Sequence, residues 1–351
     1  EELVMECTKS PDTLRCLLID ESDIHVLETE RRGQSATSQN LRKCMEMCNY
    51  VKKVTATPAT HLVHNQNLRI RDIEVLTVGA AYKGIEDFDI IDRPFETNNS
   101  THEHAWEDPQ VMIAVDEAFR SGNSVRILLS VNRKTNHQRE SVLQANVPKG
   151  AAFFTYNGSN ENVIKVNGVD PLVLSFLNEN QEPEIGEDGT IMAQWRRNEV
   201  QPEQIFEVLE SNGIEKIAVF AYDLAARGIT FPGLTHQILV RSETTSINNL
   251  YQSLRICGYV SPQEGLGKTI FTTESVKYSL QTLVQFNQDI RALVEQCDGE
   301  DLVSEVLSER GLHYEKFLRE IVSAIYGRIE QTTDQADPIT VLLKTRKGRQ
   351  R

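Results

Sequence analysis

The sequence lacks any run of roughly eighteen apolar residues, the length typical of a membrane-spanning helix. It also lacks the charged and apolar segments of a secretory signal at its beginning. These absences exclude an integral membrane protein and give no indication of export. We therefore expect an intracellular, cytoplasmic chain that has no membrane partner.

Cysteine is scarce, with six residues in 351 and no ladder of C-x-x-C pairs. A chain of this size can bury a core without disulfides, so we expect reduced thiols rather than a disulfide scaffold. Cys44 and Cys48 lie four residues apart on a predicted helix and can share a face. Because no second pair lies nearby, an ordinary helix face explains them better than a metal site.

Basic residues are fewer than acidic ones, with 37 Lys and Arg against 51 Asp and Glu, and the net charge is -14. This balance does not favour a protein that coats DNA non-specifically through its overall charge, but it permits a local basic groove. The last residues, KTRKGRQR, contain only basic charges and predict a solvated tail.

Hydrophobic residues make up 39% of the chain and charged residues 25%, which is ordinary globular composition. Short apolar runs alternate with helical patterns, and this alternation predicts an α/β fold with parallel sheets. The predicted strands are 15–20, 51–57, 68–79, 125–131, 151–156, 217–222 and 236–240. The predicted helical segments are 41–49, 110–121, 136–145, 202–211 and 275–331.

Acidic residues follow the first predicted strand, in LLIDESD. Asp20 and Glu21 would lie at the carboxyl end of a buried parallel strand, where α/β sheets bind ligands. One carboxylate there can hold Mg²⁺ and a neighbouring one can activate water during nucleotide hydrolysis. The simpler alternative is a strand that ends in a polar loop.

Two later segments place small or basic residues at the end of a predicted strand or directly after one. Thr55 and Thr57 belong to TATP, where hydroxyl groups can couple a nucleotide site to a neighbouring domain. Asp223, Arg227 and Gly228 belong to DLAARGITF, where a glycine beside an arginine lets backbone approach a ligand. A proline-stopped strand end and an exposed helical turn are the respective alternatives.

A fourth segment, QSLRICGY, carries Gln252 and Arg255, which share a face if the segment is helical. An arginine in this position can stabilise charge that develops on a phosphate.

In this order, the four segments resemble motifs of superfamily 2 helicases. LLIDESD resembles the Walker B motif, TATP the third motif, DLAARGITF the fifth and QSLRICGY the sixth. The spacing, together with YKGIEDF at 82–88, is most similar to the helicase-like domain of bacterial and phage endonucleases. The resemblance covers roughly residues 14–275.

The resemblance implies two RecA-like lobes with ATP between them and a nucleic acid, DNA rather than RNA, running across both. It assigns Mg²⁺ to Asp20, water activation to Glu21 and interlobe coupling to Thr55 and Thr57. Phosphate contacts would come from Gln252 and Arg255, the latter as an arginine finger. Nucleotide and nucleic-acid contacts in the second lobe would come from Asp223, Arg227 and Gly228.

The expected organisation has five parts. They are the carboxyl-terminal part of a first lobe (1–95), a linker (96–122), a complete second lobe (123–275), a helical extension (276–335) and a basic tail (336–351). If the source is a phage or virus, the site of action would be the host cytoplasm or nucleoid.

The sequence departs from the helicase pattern in two places. No phosphate loop of the form G-x-x-x-x-G-K-[ST] precedes the acidic strand, and Leu254 stands where this branch has glycine. Because the chain begins without methionine, we expect it to be a fragment of a longer protein. The preceding part of that protein would supply the phosphate loop. The alternatives are an inactive helicase-like module that binds partners or nucleic acid, and an unrelated α/β nucleotide-binding enzyme.

Two further motifs are weaker. Gly267-Lys268-Thr269 contains G-K-T, but Pro262 occupies the position of the first loop glycine and the segment precedes a predicted strand. His102 and His104 form an H-x-H pair, which is more typical of a surface loop than of a zinc site.

Overall fold

The computed structural model describes residues 16–19, 36–54, 68–76, 79–96, 104–158, 162–177, 182–222, 231–241, 247–259, 267–303 and 305–306. The described chain divides into two compact units. The first unit holds the described residues up to Glu74 and those from Ala292 onward. The second unit holds the described residues of Val75–Arg291.

The first unit contains a two-stranded parallel sheet. Strand β1 (Cys16–Ile19), helix α1 (Ala36–Met47) and strand β2 (Tyr50–Lys53) follow one another along the chain. The strands pair in parallel, with Ile19 opposite Lys53. The N–H of Val54 then donates to the carbonyl of Ile19 at 2.8 Å. The two predicted strands and the helix between them are confirmed, and the helix begins five residues earlier than expected.

The strand predicted at 68–79 is wrong for the residues that the structure describes there. The segment forms a short 3₁₀ helix, Ile70–Asp72, and its backbone bonds with a turn near residue 300. Ile70 N–H donates to the Asp301 carbonyl at 3.0 Å, and Arg71 N–H donates to the Gly299 carbonyl at 3.1 Å. Arg69 and Arg71 both form ion pairs with Glu300. These distant partners satisfy the backbone in place of a neighbouring strand, and sequence periodicity cannot reveal them.

The second unit contains most of the remaining elements. The helices that follow α1 along the chain are α2 (Pro109–Arg120), α3 (Thr135–Gln144), α4 (Pro202–Ser211), α5 (Ile247–Gln252) and α6 (Glu274–Gln296). The strands are β3 (Tyr82–Lys83), β4 (Asp89–Asp92), β5 (Val125–Ser130), β6 (Ala151–Thr155), β7 (Asn162–Asn167), β8 (Glu184–Ile185), β9 (Thr190–Trp195), β10 (Lys216–Phe220), β11 (His236–Leu239), β12 (Gly258–Tyr259) and β13 (Thr269–Thr272).

Nine of these strands form one sheet in the order β4-β13-β11-β5-β10-β6-β7-β9-β8. The first six strands in this order run parallel, and the last three add antiparallel. The parallel part alternates with helices along the chain, so the predicted α/β class is confirmed, as is a helix near the carboxyl end of the described residues.

Apolar side chains cover both faces of this sheet. Along β5, Leu128 packs in one buried cluster, while Ile127 and Leu129 pack in the other. Strand side chains alternate between faces, so an almost wholly apolar strand indicates a sheet that is buried on both sides. This arrangement leaves the strand ends as the places where polar groups collect.

The compact units meet in sequence at Glu74 and Val75, whereas the sequence analysis expects the first lobe to reach residue 95. Strand β4 accounts for the difference. It pairs in parallel with β13, from Asp89 opposite Thr269 to Asp92 opposite Thr272, and thereby joins the nine-stranded sheet. Across the described ranges, no helix is both long and apolar enough to cross a bilayer.

Candidate functional site

The structure describes two of the nine predicted site residues, Gln252 and Arg255. Both belong to the segment that resembles the sixth helicase motif. The other predicted site residues lie outside the described residues: Asp20, Glu21, Thr55, Thr57, Asp223, Arg227 and Gly228.

The strands that lead into the first two motifs are nevertheless neighbours. Asp20 follows β1 directly in the sequence, and Thr55 is the second residue after β2. The two strands run parallel, and their carboxyl ends are joined by the hydrogen bond from Val54 N–H to the Ile19 carbonyl. The carboxyl ends of the two strands that lead into these motifs are therefore neighbours, and strand ends of this kind are where α/β proteins bind ligands.

In the second unit, Arg255 lies in a turn between α5 and β12. Leu254 and Ile256 on either side of it are buried in the apolar core, while Arg255 itself is half-buried. The departure from the helicase pattern at Leu254 thus has a packing role, because its side chain anchors the turn. The alternation of buried and half-buried residues directs the arginine away from the core.

The guanidinium of Arg255 folds back along its own turn. Its Nε donates a hydrogen bond to the carbonyl oxygen of Gln252 at 3.1 Å, and its Nη2 donates to the same oxygen. Gln252 and Arg255 are therefore in contact, but the contact uses the backbone of Gln252 and lies in a turn rather than along one helix face. This contact limits the rotamers of Arg255.

Arg241 is a second arginine in this region, and the sequence analysis missed it. It is buried directly after the apolar run that ends β11, and its guanidinium carbon lies 3.4 Å from the centre of the Tyr222 ring. Its Nη2 donates to the Ser253 hydroxyl at 3.1 Å. Tyr222 follows β10, so this stack joins the carboxyl ends of two parallel strands to the turn that carries Arg255. A lone arginine after an apolar strand is the only signal in the sequence.

The YKGIEDF segment contacts the segment that resembles the sixth helicase motif. Strands β3 and β12 pair antiparallel, with Lys83 opposite Gly258 and Tyr82 opposite Tyr259. Both segments were selected from the sequence for the same resemblance, and they are separated by more than 160 residues along the chain. Their pairing fixes the carboxyl-terminal side of the Arg255 turn.

Two ionisable groups in this region are held neutral by burial. Burial raises the pKa of the Cys257 thiol to about 12, against a smaller opposing effect of Lys268. Burial also raises the pKa of the Tyr251 hydroxyl above its usual range. Neither group can therefore serve as a nucleophile or base near neutral pH.

Lys268, the lysine of the G-K-T sequence, binds within the protein. Its ammonium donates to the carbonyl of Ile256 at 2.8 Å and lies 6.0 Å from the centre of the Phe88 ring. The segment also leads into β13, as predicted, rather than opening a helix. Both features agree with the rejection of this sequence as a phosphate loop.

Buried amide side chains form a hydrogen-bond network beside the carboxyl ends of β5 and β6. Asn132 follows β5, and its backbone carbonyl accepts a hydrogen bond from Gln138 Nε2 at 2.7 Å. Gln138 Oε1 in turn accepts from Asn157 Nδ2 at 3.2 Å. The network fixes the loops after β5 and β6. Within the part of the chain that the structure describes, no cluster of three His, Cys, Asp or Glu side chains could hold a metal ion.

No protein-family model matches this chain, and no curated protein matches it. Among solved structures, S. cerevisiae Dbp5 bound to RNA and ADP BeF3 aligns with a TM-score of 0.33 and 8% sequence identity. The alignment covers 84% of this chain and 66% of that one. A similarity this weak assigns neither a family nor an activity to the chain.

Proposed function

We propose that the chain is the carboxyl-terminal part of an ATP-dependent nucleic-acid helicase or translocase. It would contribute part of one RecA-like lobe, a complete second lobe and a helical extension. DNA is the expected nucleic acid, on the motif resemblance alone. The motor would act inside the cell, and a preceding segment of the same protein would supply the phosphate loop.

The observation that supports this proposal most is the pairing of β1 with β2. The strands that lead into the motifs resembling Walker B and the third helicase motif are parallel neighbours. Two chance matches along a chain would not be expected to follow adjacent strands at the same edge of one sheet. The pairing of β3 with β12 is a second, independent agreement between motif order and structure.

In the proposed reaction, water attacks the γ-phosphate of ATP in line with the departing ADP. Glu21 would orient the water and accept its proton. A Mg²⁺ ion held by Asp20 would neutralise phosphate charge. Arg255 would stabilise the charge that develops on the transferred phosphoryl group, with Gln252 beside it. Asp223, Arg227 and Gly228 would contact nucleotide and nucleic acid, and Thr55 and Thr57 would link hydrolysis to movement.

The direct test is ATPase activity of the complete gene product, with and without single-stranded DNA or RNA. We expect hydrolysis that DNA stimulates more than RNA. Glu21→Gln should abolish turnover while ATP still binds, because the amide keeps the size of the side chain but cannot accept the proton. Absence of stimulated hydrolysis in the wild-type protein would contradict the motor proposal.

A second candidate is a catalytically inactive helicase-like module that clamps nucleic acid. The absence of a G-x-x-x-x-G-K-[ST] sequence from these residues favours it. Under this alternative, the complete gene product binds single-stranded DNA in a fluorescence anisotropy titration but neither binds nor hydrolyses ATP. ATP binding by the complete gene product would favour the ATP-dependent motor and contradict the inactive module.

A further inference from the structure

A fully buried glutamine occupies the middle of the parallel sheet in the second unit. Gln237 lies in β11, between β5 and β13, and none of its surface is exposed. Burying an amide among apolar side chains is unfavourable unless both of its ends are hydrogen-bonded. Both ends of Gln237 are bonded, and both partners belong to the turn that carries Arg255.

The two hydrogen bonds of Gln237 lie on either side of Arg255. Its Nε2 donates to the carbonyl of Ser253 at 2.7 Å, and its Oε1 accepts from the N–H of Ile256 at 3.3 Å. The Ser253 carbonyl also accepts from the N–H of Arg255 at 3.0 Å. One side chain in the rigid sheet therefore fixes the backbone two residues before and one residue after the proposed arginine finger.

Other contacts complete the restraint. The Ile256 carbonyl accepts from the Lys268 ammonium at 2.8 Å, and the Ser253 hydroxyl accepts from Arg241 at 3.1 Å. Lys268 is half-buried and Arg241 lies at the end of its strand, whereas Gln237 is within a central strand and has the least freedom to move. Among these contacts, Gln237 alone binds a donor and an acceptor of the turn at once.

We propose that Gln237 is a positioning residue, which holds the backbone of Arg255 so that its guanidinium meets the developing phosphate charge. The inference rests on the proposed function, and it adds a residue that no motif of the sequence indicates. Displacement of a catalytic group by about 1 Å can reduce a rate by about 100-fold. Loss of the two hydrogen bonds should therefore act on the rate of the chemical step and leave the affinity for ATP unchanged.

The test uses the complete gene product and compares Gln237→Leu with Gln138→Leu. Gln138 is the matched control, because it is also a buried, doubly hydrogen-bonded glutamine of the second unit, 3% exposed, but its partners are Asn132 and Asn157. We expect Gln237→Leu to lower kcat by about 100-fold with KM for ATP unchanged. Gln138→Leu should destabilise the fold similarly in urea and keep kcat within about threefold.

A double-mutant cycle with Arg255→Ala separates positioning from general destabilisation. If Gln237 acts through Arg255, adding Gln237→Leu to the Arg255→Ala protein leaves kcat unchanged. The inference is overturned if Gln237→Leu lowers kcat of the Arg255→Ala protein by the same factor as it lowers kcat of the wild type. It is also overturned if Gln237→Leu alone retains full kcat. Gln237→Met keeps the length of the side chain and replaces Gln237→Leu where that variant does not fold.

The failure of the proposed function gives a different result. A wild-type protein without ATPase activity overturns the motor and the positioning role together. A wild-type protein with activity that Gln237→Leu does not reduce overturns the positioning role alone.

Discussion

The ammonium of Lys268 donates a hydrogen bond to the carbonyl oxygen of Ile256, with the two atoms 2.8 Å apart. This contact joins the beginning of β13 to the turn after Arg255, and both lie in the second unit. In a phosphate loop the lysine binds the β- and γ-phosphates and the loop opens a helix. Lys268 instead has a structural partner and precedes a strand, so we expect no nucleotide-binding role for the G-K-T sequence.

Lys268→Met should therefore affect stability and leave nucleotide binding intact. Methionine keeps the length of the side chain but cannot donate to Ile256, so we expect a loss of about 1 kcal/mol in the free energy of unfolding. The affinity of the complete gene product for ATP, measured by calorimetry, should remain within about twofold of the wild type. A loss of ATP affinity by orders of magnitude would assign Lys268 to the phosphates after all.

Much of the fold was predictable because its signals are local. Helix α4 begins at Pro202 and ends at Ser211, as the sequence predicts, since proline suits the first turn and the apolar spacing defines a face. Strands β5, β10 and β11 were predicted from short apolar runs. Strands β7 and β9 were missed, because they are added by antiparallel pairing and polar residues such as Lys165 and Gln194 interrupt their apolar pattern.

The candidate site was predictable only in part. Arg255 was selected from a motif, and the structure places it in a turn between buried residues. Gln237 and Arg241 could not have been selected, because their importance comes from hydrogen bonds to Ser253, 12 to 16 residues further along the chain. A glutamine within an apolar strand has no sequence pattern that reveals its partner.

His236 should make the stability of the second unit dependent on pH. It is 5% exposed, its Nδ1 lies 2.9 Å from the Thr235 hydroxyl, and its ring stacks on Phe271. Burial lowers the pKa of the imidazole from 6.5 to about 4, against a smaller opposing effect of Glu117. Between these values the unfolded chain binds a proton that the folded chain does not, so the free energy of unfolding falls as the pH falls.

Through His236, the free energy of unfolding should be about 3 kcal/mol higher above pH 6.5 than near pH 4. Urea unfolding at several pH values between 4.5 and 7.5 measures it. His236→Gln should weaken the dependence of the free energy of unfolding on pH. The control is His137→Gln, which changes a half-buried histidine of the same unit and should leave this dependence unchanged. An unchanged slope in His236→Gln would show that other groups cause the pH dependence.

Cys257 should resist alkylation in the folded protein. Burial raises the pKa of its thiol from 9.0 to about 12, which lowers the thiolate fraction about a thousandfold. Cys16 is exposed and serves as the internal control. With iodoacetamide at mildly alkaline pH, mass spectrometry should find Cys16 modified and Cys257 unmodified until denaturant is added. Equal rates at the two thiols in the absence of denaturant would contradict the raised pKa of the partly buried Cys257 thiol.

Arg255→Ala is the variant that tests the proposed chemistry most directly. Arginine fingers contribute about 10³-fold or more to phosphoryl transfer, so kcat of the complete gene product should fall by about that factor. Arg255→Lys should recover little of it, because an ammonium cannot reproduce the planar fork of donors that a phosphoryl group and the Gln252 carbonyl require. The measurement is steady-state ATP hydrolysis with saturating single-stranded DNA.

The matched control is Arg196→Ala, which removes an exposed arginine of the same unit that pairs only weakly with Glu199 at 3.5 Å. Its kcat should stay close to that of the wild type, because an exposed ion pair of this kind contributes little to stability. A lysine that restores full activity at position 255 would mean that charge alone is needed there. In that case the fixed geometry of the turn, including the hydrogen bonds of Gln237, would have no part in the rate.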